Sequence, residues 1–111
     1  MPTLAVANLR KVDLGPAILD YLQKIDATLA PYDGRFLVHG QPVTVLEEGW
    51  VGDFVVIIFP DRARAEAWYR SPAYQAILPL RTGNSDSTAF LVDTVPETYR
   101  ATDFLKTLGI G

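Results

Sequence analysis

The chain contains no cysteine, one histidine and one methionine among its 111 residues. Without cysteine there is neither a disulfide framework nor a thiolate metal site. His39 alone leaves too few donors for zinc, and it could serve haem only as a lone proximal ligand, so neither metal nor cofactor is expected. An excess of positive charge is missing as well: ten Lys and Arg stand against thirteen Asp and Glu, for a net charge of −3 and a pI near 4.9. No electrostatic footprint for nucleic acid or an anionic membrane follows from that balance. The eight glycines are scattered at turns, with no G-x-G-x-x-G after a strand, which sets aside a phosphate loop. Serine occurs only at Ser71, Ser85 and Ser87, in punctuating segments that do not suggest a nucleophile with its base. The opening stretch Met1 to Asn8 has no basic n-region and soon meets Arg10 and Lys11, so it reads as neither signal peptide nor membrane span and a cytoplasmic location is expected.

What is present is apolar sequence in short blocks. Hydrophobic residues make up 49% of the chain and charged ones 21%, in a length that suits one globular domain. Leu4–Leu9 is apolar except at Asn8 and reads as a strand. Gly15-Pro16 opens a helix whose buried face is expected to carry Ile18, Leu22, Ile25 and Leu29, and Pro31 with Asp33-Gly34 stops it. Arg35–His39 alternates, with Phe36 and Val38 on one side and Leu37 and His39 on the other. After Gly40-Gln41-Pro42 a strand is expected to resume at Val43–Glu47. Phe54–Phe59 is the strongest strand, β-branched and apolar throughout. Asp61 is a helix N-cap, the helix runs to Tyr69, and Ser71-Pro72 introduces a further short helix ended by Pro79 or by Thr82-Gly83-Asn84. Ser87–Val92 is the last strand.

This order is βαββαβ, an α+β ferredoxin-like antiparallel sheet with both helices on one face. Both alternate sets of Phe54–Phe59 are apolar, and Leu4–Val6 and Ala89–Val92 behave alike, yet the helices cover one set only. The other face then needs a cover, and the economical one is a homodimer with sheet faces packed together, or a partly closed barrel enclosing a ligand pocket. Residues 1–95 form this domain, and 96–111 a tail in which Ala101, Phe104, Leu105 and Leu108 give an apolar stripe before Gly109. So short a helix is expected to dock, on its own subunit or across the dimer.

The series Gly34-Arg35-Phe36-Leu37-Val38-His39-Gly40, Val45-Leu46-Glu47 with Trp50, Ile58-Phe59-Pro60, Ala67-Trp68-Tyr69, Ser71-Pro72, Tyr74-Gln75 and Pro79-Leu80-Arg81 resembles the family known as domain of unknown function 1330, over about residues 3 to 95. The resemblance implies a dimeric α+β barrel, in the broad superfamily of cofactor-free antibiotic-biosynthesis monooxygenases, muconolactone isomerase and haem-dependent chlorite dismutases. It implies no activity. One departure is local: relatives read Leu-Glu-Gly before the Trp, and this chain has Leu46-Glu47-Glu48-Gly49-Trp50.

Few residues are suited to chemistry. His39 is the side chain that titrates near neutral pH and is the candidate catalytic base. Glu47 and Glu48 are adjacent, so in a strand they face opposite ways and one of them is expected in the interior or the seam. Glu47 and Arg81 match the family's Glu and Arg, and either pair with each other or anchor a ligand, Arg81 being the better anchor because its fork binds carboxylates bidentately. Trp50 and Tyr74 are candidates for a pocket wall, each with a polar tip. Three functions fit: a homodimer binding a small organic molecule between sheet and helices, a cofactor-free monooxygenase- or isomerase-like enzyme, and a non-catalytic structural or interaction protein.

Overall fold

A computed structural model describes residues 1–110. Four strands form one antiparallel sheet in the order β2-β3-β1-β4, with β1 at Thr3–Val12, β2 at Arg35–His39, β3 at Asp53–Phe59 and β4 at Ser85–Asp93. Helix α1 (Pro16–Leu29) joins β1 to β2, and α2 (Arg62–Arg70) with α3 (Pro72–Thr82) joins β3 to β4. This is the ferredoxin-like α+β order expected from the sequence. The apolar strands β1 and β3 lie in the middle, where both edges are paired, and the more polar β2 and β4 form the rims.

Cross-strand partners share a face, so the register sorts the sheet into two sides. Ala5, Ile57 and Leu91 lie in one row, with Thr3 and Phe59 in the next, and Phe36 opposes Ile57 on that side. These meet Tyr21, Ile25 and Leu29 of α1, Ala65 and Trp68 of α2 and Tyr74 and Ile77 of α3, which form the core. The second side carries Val6, Val56, Phe90, Leu4, Ile58 and Val92. There Val6 and Val56 are buried, while Phe90 and Val92 on the rim strand are 52% and 43% exposed.

The helix layer is fastened by its junctions. Asp61 caps α2 by accepting from the Arg64 N–H at 2.8 Å. Ser71 ends that helix and begins the next: its N–H and Oγ both donate to the Trp68 carbonyl, and its Oγ accepts from the Tyr74 N–H. Trp68 and Tyr74 are thereby set against each other, ring centroids 4.1 Å apart, and the Trp68 indole donates to Thr28 Oγ1 at 3.0 Å. Pro79 does not end α3, which continues to Thr82; Gly83 N–H bonds back to the Pro79 carbonyl.

Three expectations are corrected. Val43–Glu47 is not a strand but part of an exposed loop across residues 40–52, because among the described residues β2 pairs only with β3 and no further strand lies beside it. On α1 the buried face holds Tyr21 in place of Leu22, since steps of three and four from Ile18 to Ile25 pass through Tyr21 equally well. In β2 the pairing sum slips by one between Phe36↔Ile57 and Val38↔Val56, a bulge at Leu37 that puts His39 opposite Val55 and on the helix side with Phe36. Apart from these corrections, the tail helix α4 spans Asp103–Thr107, and Phe104, Leu105 and Leu108 are exposed on the single chain.

Gly52 ends the long loop where it returns to the sheet. Its φ of +97° suits glycine, and a Cβ there would run into the Leu9 carbonyl oxygen and Arg10 Cα. No helix among the described residues is long and apolar enough to cross a membrane.

Candidate functional site

The helices cover one end of the sheet closely and leave a cavity of about 400 Å³ at the other. Small side chains make the room: Ala5, Ala7 and Ala89 floor it, with Val55 and Ile57 beside them, and Ile18 and Leu22 of α1 lie over them. The alanines of adjacent strands stand in register, Ala7 opposite Ala89 on one side and Val55 on the other. With no large side chain to reach the helices, the layers stay apart there.

Polar groups gather at one part of this apolar wall. Tyr21 and Tyr74 hydroxyls share a hydrogen bond of 2.8 Å, their rings edge to face at 6.2 Å. Arg81 lies two turns beyond Tyr74 on the same face of α3, is 8% exposed, and donates from Nη1 to Ser87 Oγ at 2.8 Å. Ser87 also shares a hydrogen bond with Ser85, whose hydroxyl donates to the Arg81 carbonyl at 2.6 Å, so the serines of β4 hold both ends of the arginine. Among the described residues, no ion pair joins a carboxylate to Arg81. A buried cation ordinarily has such a partner.

These groups tune one another. Burial pushes the Tyr21 phenol well above its ordinary value of 10.0, Tyr74 adds to the rise and the Arg81 cation opposes it. For Arg81, burial pulls down while Tyr74 and Tyr21 push up, and the net direction is upward. The site is thus a permanent cation beside a phenol that keeps its proton, and it offers hydrogen-bond donors to whatever enters.

Three of the sequence's five candidates meet at the cavity: Arg81, Tyr74 and His39. His39 reaches it through the β2 bulge and stacks on Phe36 at 4.4 Å with planes 10° apart. The other two candidates lie elsewhere. Glu47 and its neighbour Glu48 are both exposed in the 40–52 loop, because that segment leaves the sheet, and Glu47 makes no pair with Arg81. Trp50 is 37% exposed, donates to the Gly52 carbonyl at 3.0 Å and packs edge-on against Phe54, where it serves the loop's return. Tyr21 and Ser87 were missed. The signal for Tyr21 was its place in the helical repeat, masked by the more apolar Leu22; Ser87 carried none, because only the β4 register brings it to Arg81. No cluster of three or more His, Asp or Glu side chains able to hold a metal occurs among the described residues.

Residues 2–95 match the family model described as Domain of unknown function (DUF1330). The chain belongs to the DUF1330 family. No curated protein matches it. Solved structures share the DUF1330 chain's fold at low identity. A protein of unknown function from Rhodopseudomonas palustris is 16% identical with a TM-score of 0.67, covering 86% of this chain and 83% of its own. A dimeric ferredoxin-like protein of unknown function from Jannaschia sp. CCS1 is 9% identical with a TM-score of 0.65, covering 85% and 100%. SnoaB from Streptomyces nogalater, a cofactor-independent oxygenase, is 14% identical with a TM-score of 0.58, covering 89% and 98%. At these identities the likeness is one of fold.

The phenol pair of this DUF1330 protein makes a prediction about alkaline pH. The unfolded chain releases the Tyr21 proton near its ordinary value of 10.0, while the folded chain holds it. Stability from this group is therefore intact below about pH 10 and lost as the pH rises above it. Denaturant titrations of Tyr21→Phe are expected to show a loss of about 1 kcal/mol at pH 8 from the missing hydroxyl pair and a shallower decline above pH 10 than the parent.

Proposed function

We propose that this protein is a homodimer that binds a small, mainly apolar organic molecule in the cavity between sheet and helices. The observation that carries the reading is the cavity itself: about 400 Å³, walled by alanine, valine and isoleucine, with a few convergent polar groups. Sites for small organic ligands have that size and composition. Arg81 and Tyr74 are the proposed contacts within it, while Glu47 and Trp50 would reach a ligand only from the 40–52 loop of another copy.

Dimerisation through the second sheet face is supported by the exposure of Phe90 and Val92 there and by several fold neighbours described as dimeric. Packing two such faces removes apolar surface from water at roughly 25 cal/mol per Å². Light scattering at micromolar concentration is expected to give twice the 12.3 kDa chain mass, and Phe90→Glu to give the single chain. A monomeric parent would end the dimer reading.

Cavity binding is read by ligand-observed NMR with small neutral aromatics such as indole and naphthol. The parent is expected to bind at least one, and Ala89→Trp, which fills the cavity floor from an exposed position, to bind none. A parent that binds none, or a variant that binds as before, removes the cavity from the function and favours an interaction protein.

A second reading, catalysis without a cofactor, is favoured by the placement of His39 on the cavity wall. There it would act as the general base on a bound molecule, as the fold likeness to a cofactor-independent oxygenase also suggests. For any bound compound that turns over, His39→Gln is expected to lower the rate at least about a hundredfold, the usual worth of a positioned base. An unchanged rate and pH profile would dispose of that role.

A further inference from the structure

We infer that the cavity selects ligands carrying a single carboxylate, with the acid group seated on Arg81 and the Tyr21–Tyr74 hydroxyl pair and the apolar body lying over Ala7, Ala89 and Val55. The inference rests on the cavity-binding reading above and names the class of molecule it takes.

Its first support is the charge balance. Arg81 is more than nine-tenths buried, lines the cavity, and meets only neutral oxygens: Nη1 donates to the Ser87 hydroxyl, and the Tyr21 and Tyr74 phenols stand beside the guanidinium. None of the fully enclosed side-chain nitrogens or oxygens among the described residues lacks a hydrogen-bond partner. Any guanidinium N–H that these oxygens do not take is therefore not sealed in protein, and the cavity is the space that Arg81 lines. A guanidinium fork in an apolar wall is matched by the two oxygens of a carboxylate, with charge-assisted bonds about twice as strong as neutral ones.

The second support is the adjacent phenol pair. Two hydroxyls bonded to each other at 2.8 Å use one proton between them, which leaves the other free to donate. A neutral phenol next to Arg81 adds a donor without adding charge. One cation and neutral donors balance one negative charge. A dianionic head such as a phosphate monoester would carry a second charge into a wall of alanine and valine.

The body of the ligand is set by the opposite end. Small residues on β1 and β4 leave a flat floor, and the stacked Phe36 and His39 rings close the side. A planar or branched hydrocarbon of the size of a substituted benzene ring fits these walls.

The test compares cinnamate, cinnamamide and phenyl phosphate by calorimetric titration of the full chain. Cinnamate is expected to bind at least about tenfold more tightly than either of the others. Binding of cinnamate should also move the Arg81 side-chain N–H resonance in a nitrogen-correlated NMR spectrum. Arg81→Met is expected to reduce cinnamate to the affinity of cinnamamide; should that variant fail to fold, Arg81→Lys keeps the charge without the fork and is expected to fall between. Cinnamamide binding as well as cinnamate, or phenyl phosphate binding better, overturns the inference and leaves the cavity reading standing. Neutral aromatics binding while cinnamate does not has the same meaning, whereas failure of both classes overturns the cavity reading as well.

Discussion

The guanidinium of Arg81 must be solvated by something, and the fold arranges for that solvation from three directions. Ser87 comes from β4, Tyr74 from the same helix two turns earlier, and Tyr21 from α1. Each of these positions depends on a larger element. Ser87 is placed by the β1–β4 register, Tyr74 by the Ser71 junction, and Tyr21 by the packing of α1 across the sheet. Removing a charge from water is costly, and hydroxyl oxygens offset it only in part. The cation consequently holds α1, α3 and β4 in one relation while leaving its own charge unbalanced, and the cavity opens at that imbalance.

Packing explains why the opening lies where it does. At the Phe59 end, Trp68, Tyr74 and Leu29 fill the space between sheet and helices. At the Ala7 end the floor residues are too small to do so. The helix-side residues thus shrink along β3, from Phe59 through Ile57 to Val55, and along β4, from Leu91 to Ala89, and the protein passes from core to cavity along the same strands. The opposite sheet face behaves differently again, with buried Val6 and Val56 at its centre and exposed Phe90 and Val92 at its rim.

Much of the architecture was legible residue by residue. Short apolar runs marked β1, β3 and β4, that of β3 also β-branched, Asp61 and Ser71 marked helix starts, and Asp33-Gly34 marked the turn into β2. The site was legible in part. Arg81 and Tyr74 lie seven apart on one helix face, a spacing that one dimension preserves. His39 was assigned to the wrong side because strict alternation takes no account of a bulge, and Val43–Glu47 read as a strand although no neighbour among the described residues pairs with it. Local pattern carries no information about either event.

Taken alone, the sequence determined the element order, the α+β class, the absence of cysteine chemistry and the surplus of apolar strand surface, because these follow from periodicity and composition. Tertiary structure alone decided that Tyr21 meets Tyr74, that Ser87 meets Arg81, that Glu47 does not, and that three alanines share one floor. Those relations join residues far apart in the chain, and their energies come from burial and hydrogen bonding across elements, which exist only once the sheet register and helix packing are set.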